Sequence, residues 1–437
     1  MHLKTRNVNT AFKELVSIFY HKEYSTSSDT FDVKIDNQSS RNGAVLKIDE
    51  PVTITYAHPR ERVLFNQVRD CNCFFHLYEA LWMLAGRDDV ASLAFYNSKV
   101  HQFSDDYYED MDGINGTFNG AYGKRWRTSS GPPKLINPGI AGYRRDGIDQ
   151  LNILVEHLKA DPNSRRAVLQ MWNLENDLLK IGEGNCTCTK DYAPPPQDMR
   201  ASNGHYNGCQ VNRVSKDLCC NTSVMFSLRE ERLTIDRFLA AEHVKTEGSI
   251  ATMKPPPACK YLDMTVTNRS NDLLWGLLGS NYVCFSLLQE YMAARLGVQV
   301  GLYHHFTNNL HVYKDRPDWR PEILLDWYDN APVGDYHETA MQLQLGQSNP
   351  ERIDEEINTV VTDYGCPNTL TSPYDLDDDW LRQVAVPMLE AWQLWKGAQP
   401  LGEVVKALDR VACPSWRWVA IQWIDKRVAR RKNNADN

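Results

Sequence analysis

Hydrophobic residues recur every three or four positions in several stretches of the chain, and this spacing predicts helices. The helical stretches are residues 10–23, 74–85, 90–100, 149–160 and 283–296. Gly86 follows the second of them and Gly297 follows the last. Because glycine is favoured just beyond a helix end, these two positions are expected to terminate their helices.

Other stretches are short and apolar, or alternate apolar with polar residues, which is typical of strands. They are residues 44–56, 167–172, 223–228, 262–267 and 302–313. Helices precede and interrupt these strands, so the sequence predicts an α+β fold in which helices pack on a mixed sheet. We expect this domain to span residues 40–315, after an N-terminal helix and linker over residues 1–39.

Two segments inside this domain have no apolar periodicity. Residues 183–215 and 242–260 each contain three consecutive prolines, and we interpret both as inserted loops. Beyond the domain, residues 316–437 are predicted to form a mainly helical C-terminal extension. Its helices are expected over residues 353–364, 380–395, 402–411 and 416–431.

Composition narrows the class of protein. With 42% hydrophobic and 24% charged residues, the chain is typical of a soluble globular protein. The net charge of −8 argues against binding to nucleic acid or to an anionic membrane, although a few arginines suffice for one small phosphate. No apolar run is long enough to span a membrane, and the charged N-terminus is unlike a secretory signal. Eleven cysteines without such a signal predict reduced thiols and a cytoplasmic location.

Polar side chains cluster where the strand over 262–267 ends. Arg269, Ser270 and Asp272 follow this strand directly, and Asn281 follows after a glycine-containing turn. A polar strand end and a helix cap would explain them equally well. Together with Arg165 and Arg166, however, Arg269 offers guanidinium groups suited to bidentate phosphate binding.

Two cysteines and one acid are further candidates for chemistry. Cys219 and Cys220 precede the strand over 223–228. A cysteine is usually a small buried hydrophobe, but positive charge nearby favours the nucleophilic thiolate. Glu79 lies in an otherwise apolar helix, either on a solvated face or as a buried acid with a raised pKa. Periodicity leaves both interpretations of Glu79 open.

The predicted strand over residues 302–313 contains three histidines. His304 and His305 are interpreted as ordinary strand residues. His311 and Tyr313 are two positions apart in a predicted strand, so their side chains share one face and could donate to a sugar hydroxyl.

Metal binding is not expected. The residues that could hold zinc do not have the usual ligand spacing, and they are Cys186, Cys188, His205 and Cys209.

Several segments in this order resemble the thymidylate synthase superfamily, which includes the phage-type pyrimidine hydroxymethylases. The resemblance covers about residues 40–315. It rests on YEALWMLAG at 78–86, GAYGKRWR at 120–127, DQL at 149–151, DPNSRRAVLQMWN at 161–173, DLCCNTS at 217–223, NRSND at 268–272, GSNY at 279–282 and LHVY at 310–313.

The resemblance implies catalytic roles. Cys220 matches the nucleophile that attacks C6 of a pyrimidine nucleotide, with Cys219 one residue out of register. Glu79 and Tyr122 match the proton-transfer network, and Asp272 matches the aspartate that meets the folate pterin.

It also implies substrate and cofactor contacts. Arg269 and Ser270 match phosphate ligands beside the nucleophile, and His311 and Tyr313 match the sugar-binding pair. The remaining matches are Arg165 and Arg166, which would reach the phosphate across a homodimer interface, Arg41 as a further phosphate ligand, and Phe103 and Trp82 as folate-binding residues.

The substrate and reaction follow from departures within the family pattern. Asn281 can donate to O4 and accept from N3–H of uracil, whereas cytidylate hydroxymethylases carry aspartate at this position. Phe103 stands where the synthases have tryptophan, Asn221 stands where they have histidine, and their apolar C-terminal tail is absent. These departures favour a hydroxymethylase over a synthase.

The resemblance therefore implies a phage-type enzyme, in the host cytoplasm if phage-encoded, that uses 5,10-methylenetetrahydrofolate to convert dUMP to 5-hydroxymethyl-dUMP. Three alternatives remain. They are a thymidylate synthase that yields dTMP and dihydrofolate, a dCMP hydroxymethylase, and a nucleotide-binding homologue without catalysis.

Overall fold

A computed structural model describes most of the chain. The described residues are 1–24, 34–40, 43–111, 113–128, 143–144, 147–173, 177, 217–232, 258–330, 343–366 and 376–435. Within these ranges no helix is both long and apolar enough to cross a membrane. The helices are α1 (Val8–Tyr24), α2 (Cys73–Leu84), α3 (Val90–Tyr96), α4 (Tyr122–Arg127), α5 (Gln150–Ala160), α6 (Asn281–Leu296), α7 (Pro321–Asn330), α8 (Ile353–Tyr364), α9 (Val386–Lys396), α10 (Leu401–Asp409) and α11 (Pro414–Ala435).

The strands form one large mixed sheet and smaller ones. They are β1 (His2–Thr5), β2 (Ile35–Ser40), β3 (Gly43–Ile48), β4 (Val52–Tyr56), β5 (Tyr108–Asp110), β6 (Gly113–Asn115), β7 (Tyr143–Arg144), β8 (Gly147–Ile148), β9 (Val168–Gln170), β10 (Asn221–Arg232), β11 (Ala258–Asn268), β12 (Asn271–Asp272), β13 (Gln299–Thr307) and β14 (Leu310–Tyr313). The large sheet has the order β1-β4-β13-β11-β10-β9, and a four-stranded sheet has the order β12-β14-β3-β2. Parallel and antiparallel neighbours both occur, which confirms the predicted α+β class.

Helix α6 lies on one face of the large sheet and is buried from Tyr282 to Ala294. Gln289 on this helix is fully buried, and its Nε2 donates to the carbonyl oxygens of Leu262 in β11, at 2.8 Å, and of Leu302 in β13, at 3.0 Å. These two bonds attach the helix to adjacent strands of the sheet.

The C-terminal helices pack against the same hydrophobic core. The Tyr78 hydroxyl donates to the carbonyl oxygen of Val361 at 2.9 Å, and the Tyr96 hydroxyl donates to that of Tyr364 at 2.8 Å. Buried Arg127 forms an ion pair with Asp354 at 2.6 Å. Helix α8 is thereby attached to α2, α3 and α4.

Two predicted strands are each two strands in the structure. Residues 44–56 divide into β3 and β4 around a polar turn that contains Pro51, and the two halves belong to different sheets. Residues 302–313 divide at Asn308–Asn309 into β13 and β14. A polar turn interrupts the ladder in both places, and apolar residues on each side concealed the break.

Other differences concern short or polar elements. Strand β2 reads IDNQSS and has no apolar alternation, so it was predicted as part of a linker. Strand β1 has only four residues. Strand β11 begins at Ala258, inside the loop predicted over 242–260, and the helix predicted over 90–100 ends at Tyr96 before a 3₁₀ turn over Val100–Phe103.

Candidate active site

The two adjacent cysteines have different environments. Cys219 is 1% exposed, and its thiol donates to the carbonyl oxygen of Asn221 at 3.0 Å. Burial raises the pKa of the Cys219 thiol, so this residue stays protonated at neutral pH. Cys220, immediately before β10, is only half-buried. Of the two thiols, Cys220 is therefore the one that a ligand can reach.

Arg269 holds the cysteine segment from the neighbouring strand end. Its backbone N–H donates to the carbonyl oxygen of Cys220 at 2.9 Å. Its Nε donates to the carbonyl oxygen of Cys219 at 3.0 Å, and Nη2 donates to that of Leu218 at 3.4 Å. A guanidinium has five N–H donors, so others remain for an anion. The ring of Trp172 lies 5.4 Å from the guanidinium carbon and supports it from one side.

Asn221 fixes the two strand ends relative to each other. It is fully buried, and its Nδ2 donates to Oδ1 of Asn268 at 2.9 Å and to the carbonyl oxygen of Thr267 at 3.0 Å. Cys220 and Arg269 are the neighbours of Asn221 and Asn268 in the chain. The asparagine after the nucleophile candidate therefore has a structural role in positioning this site.

A glycine-containing segment brings a tyrosine to the cysteines. The Gly120 N–H donates to Oδ2 of Asp217 at 2.9 Å, and burial raises the pKa of this carboxyl to about 6. A side chain at Gly123 would place Cβ 2.2 Å from the carbonyl oxygen of Met83, so helix α4 approaches α2 as closely as only glycine allows. Tyr122 starts α4. Burial, together with the nearby Cys219 and Cys220 thiols, raises the pKa of its phenol.

Glu79 is half-buried in helix α2 and not on a fully solvated face. Its Oε2 lies 3.8 Å from Sγ of Cys284, which in turn lies 3.8 Å from Oγ of Ser280 at the start of α6. Burial raises the pKa of the Glu79 carboxyl to about 8. Glu79 therefore carries a proton at neutral pH and can deliver it to a bound group. The raised pKa favours the second of the two interpretations that periodicity left open.

Asn281 is the first residue of α6 and is half-buried. Its Nδ2 donates to Oδ1 of Asn271 in β12 at 3.3 Å. Asn271 is in turn 3.1 Å from Nε2 of His305, a fully buried residue of strand β13. Asn271 lies in the NRSND segment and His305 in a predicted strand, but the sequence alone does not bring them together, because their contact depends on how β12 and β13 are placed in two different sheets. His304 lies on the opposite face of β13 and pairs with Thr55.

The short pairing of β12 with β14 places Asp272 opposite His311. The His311 ring contacts the ring of Tyr313 edge-on, with 5.3 Å between centroids. The Asp272 carboxylate accepts from the backbone N–H of Trp275 at 2.5 Å, and burial raises its pKa to about 6. Three predicted site residues thus lie at one edge of the small sheet.

A cavity of about 510 Å³ lies between the segment after Asp272, which contributes Trp275, and the C-terminal helix. Its walls include Trp275, which is 47% exposed, and Arg69 and Arg316, whose guanidinium carbons lie 4.6 Å and 5.7 Å from the Trp275 ring. The C-terminal helix contributes Arg427 and Lys426 to the opposite wall. The walls also include Asp70 and Asp318, and Asp70 accepts from the Arg427 guanidinium at 2.7 Å. The cavity therefore combines aromatic surface with charges of both signs.

The remaining predicted site residues differ in their exposure. Arg165 and Arg166 are exposed on the segment that enters β9, and Phe103 is 49% exposed. Trp82 is 2% exposed, and its Nε1 donates to Oδ1 of Asp89 at 3.2 Å. Ser270 is half-buried beside Arg269.

Arg41 lies outside the described residues, as do the cysteines and histidine considered for zinc. Within the described ranges no group of histidine, cysteine, aspartate and glutamate side chains could hold a metal ion.

Comparisons with known proteins agree with this architecture. The model of the family "Thymidylate synthase" matches residues 65–218 and 196–358. The chain is 31% identical over 439 residues to the deoxyuridylate hydroxymethyltransferase of Pseudomonas phage M6. The aligned region covers 98% of this chain and 94% of the relative.

Two further relatives carry the same name and match a smaller part of the chain. The enzyme of Bacillus phage SP01 is 33% identical over 287 residues, covering 65% of this chain and 54% of the relative. The enzyme of Delftia phage PhiW-14 is 24% identical over 292 residues, covering 65% of this chain and 60% of the relative. The chain belongs to the thymidylate synthase family and is an enzyme of that family.

Proposed function

We propose that the enzyme converts dUMP and 5,10-methylenetetrahydrofolate to 5-hydroxymethyl-dUMP and tetrahydrofolate. The observation that carries the proposal is the half-buried Cys220, whose carbonyl oxygen accepts from the backbone N–H of Arg269, in a chain whose relatives are named deoxyuridylate hydroxymethyltransferases. The relatives are phage enzymes, so the proposed setting is the cytoplasm of an infected host.

Cys220 provides the nucleophile. Its thiolate adds to C6 of the uracil ring, which forms a sulfur–carbon bond and moves electron density onto C5 and O4. Positive charge beside a cysteine favours the thiolate, and Arg269 supplies that charge while its remaining donors bind the nucleotide phosphate. Ser270, with Arg165 and Arg166 from a second subunit, completes the phosphate site.

Asn281 and the small sheet orient the nucleotide. With one N–H of its amide given to Asn271, Asn281 keeps an oxygen and a second N–H for the base. This pair complements N3–H and O4 of uracil. His311 and Tyr313 bind the sugar hydroxyl, and Asp272 contacts the folate pterin.

Proton movement falls to Tyr122 and Glu79. Methylenetetrahydrofolate supplies the one-carbon unit to C5. Tyr122 lies beside the cysteines, where it assists loss of the C5 proton. Loss of this proton expels tetrahydrofolate and leaves an exocyclic methylene on C5. Glu79, which is protonated at neutral pH, donates to the base carbonyl and orients the water that adds to this methylene. The C6–S bond then breaks, which restores the ring double bond and releases Cys220 as the thiolate.

A homodimer would complete the site. One face of the large sheet has no helix over it among the described residues, and Val168 and Met225, paired across β9 and β10, are 44% and 38% exposed there. The row of neighbours continues through Thr265, His304, Thr55 and Lys4. A second copy that covers this face would place Arg165 and Arg166 of each subunit next to the other subunit.

Release of tritium from C5 of dUMP tests the chemistry. In the presence of methylenetetrahydrofolate, the wild-type enzyme and the Cys219→Ala variant are expected to release tritium, whereas Cys220→Ala is expected to release none. Release by Cys220→Ala but not by Cys219→Ala would move the nucleophile to Cys219.

A further inference from the structure

Asn281 is the outer end of a hydrogen-bonded chain that continues into the core through Asn271, His305 and Tyr303. We propose that these three inner residues are positioning residues, which fix the side-chain amide of Asn281 in one orientation and thereby select uracil over cytosine. The inference rests on the proposed function, because it takes Asn281 as the group that recognises the base.

The hydrogen bonds that link Asn281 to Tyr303 are continuous in the structure. Nδ2 of Asn281 lies 3.3 Å from Oδ1 of Asn271, and Nδ2 of Asn271 lies 3.1 Å from Nε2 of His305. Nδ1 of His305 lies 2.8 Å from the hydroxyl of Tyr303. Asn271 is 4% exposed, and His305 and Tyr303 are fully buried, so water cannot easily replace a missing partner.

Two secondary-structure contacts keep the chain in place. His305 and Tyr303 are on the same face of β13, which lies beside β11 in the large sheet. Asn271 begins β12, and its backbone N–H donates to the carbonyl oxygen of Asn309 at 2.9 Å. Gly276 packs directly on the amide, since a Cβ there would lie 2.1 Å from Oδ1 of Asn271 and 3.3 Å from Nδ2 of Asn281.

Each hydrogen bond in this series has a defined donor and acceptor. Burial lowers the pKa of His305 to about 3, so its imidazole is neutral and has one donor and one acceptor nitrogen. Nε2 accepts from the Asn271 amide, and Nδ1 therefore carries the proton that is donated to the Tyr303 oxygen. With its N–H facing His305, Asn271 presents its carbonyl oxygen outward, where the N–H side of the Asn281 amide donates to it.

This direction matters because an asparagine amide has a donor side, its NH₂ group, and an acceptor side, its carbonyl oxygen. Uracil presents an acceptor at O4 and a donor at N3, and cytosine presents the reverse, a donor at N4 and an acceptor at N3. An amide that could turn by 180° would exchange its donor and acceptor and fit either base. An amide whose N–H is held by Asn271 fits one of them, which gives discrimination without a charged residue.

Binding of dUMP and dCMP to the folate-free enzyme, measured by calorimetry, tests the proposal. His305→Phe removes the acceptor for Asn271, and we expect the ratio of the two dissociation constants to fall roughly fivefold to tenfold, the equivalent of one neutral hydrogen bond. His305→Gln, which retains an acceptor oxygen, is expected to recover part of the ratio. Gln289→Leu is the matched control, because Gln289 is equally buried between α6 and the sheet but lies outside the chain.

A His305→Phe ratio equal to that of wild type, or an equal fall in Gln289→Leu, would overturn the proposal. If His305→Phe does not fold, Tyr303→Phe provides the same test with a smaller expected fall. Nitrogen-15 NMR of the labelled wild-type histidines gives an independent result. A protonated Nδ1 on His305 supports the stated direction of the hydrogen bonds, and a protonated Nε2 overturns the proposal. Wild-type enzyme that does not prefer dUMP would contradict the proposed function itself, whereas an unchanged preference in the variants contradicts only the positioning chain.

Discussion

Replacing Glu79 by glutamine removes a carboxyl group whose pKa is raised by burial to about 8. In the unfolded chain this group loses its proton above the ordinary pKa of 4.5, whereas in the folded enzyme it keeps the proton until about pH 8. The folded state therefore binds more protons between these pH values. Stability falls as pH rises through this window, and it is unaffected by Glu79 below the window.

The magnitude follows from the two pKa values. Each pH unit between them costs about 1.4 kcal/mol of unfolding free energy, so a fully buried group would cost about 4 to 5 kcal/mol above pH 8. Glu79 is half-buried, and solvent reduces this figure, so we expect about 3 kcal/mol. Glutamine has nearly the same shape and does not ionise. Glu79→Gln should thus gain stability relative to wild type as pH rises.

Urea unfolding of both proteins at pH 5, 6.5 and 8 measures this difference. The matched control is Glu156→Gln on α5, because Glu156 is 56% exposed and pairs with Lys159 on the surface. The control should show a difference near zero at every pH. A Glu79→Gln difference that stays constant from pH 5 to pH 8 would refute the assignment of Glu79 as a protonated acid.

Three other changes give sharp outcomes. Gly276→Ala places a Cβ against Asn271 and should weaken dUMP binding about tenfold by calorimetry, whereas Gly402→Ala, with no atom within 4 Å of its Cβ, should leave it unchanged. Arg127→Met leaves the buried carboxylate of Asp149 without its ion pair and weakens the attachment of Asp354, so urea unfolding should show a loss of about 3 to 5 kcal/mol. The surface change Lys159→Met should cost under about 0.5 kcal/mol in the same assay. Val168→Lys puts a charge on the exposed sheet face and should convert a dimer to monomers in sedimentation experiments, and a wild-type monomer would contradict the dimer.

Elements with a long apolar pattern could be predicted from the sequence because burial itself imposes the pattern. Helix α6 and strands β10 and β11 pack one or both faces against the core, so most of their buried positions are apolar. Strand β2 has no such pattern, because its residues are polar and it lies at the edge of the small sheet. Its position depends on pairing with β3, which no local signal reports.

The same distinction applies to the candidate site. Cys220, Arg269 and Asn281 stand in motifs that can be recognised along the chain. Asn271 and His305 meet although they are 34 residues apart, and their contact depends on how β12 and β13 are placed by the two sheets. The protonation state of Glu79 likewise depends on Cys284 and on the packing of α6, which are distant in sequence.

The identity of the products tests the central claim most directly. The enzyme would be incubated with dUMP and 5,10-methylenetetrahydrofolate, and both the nucleotide and the folate would be identified by mass. The account predicts 5-hydroxymethyl-dUMP together with tetrahydrofolate. Formation of dTMP with dihydrofolate, or conversion of dCMP in preference to dUMP, would contradict it.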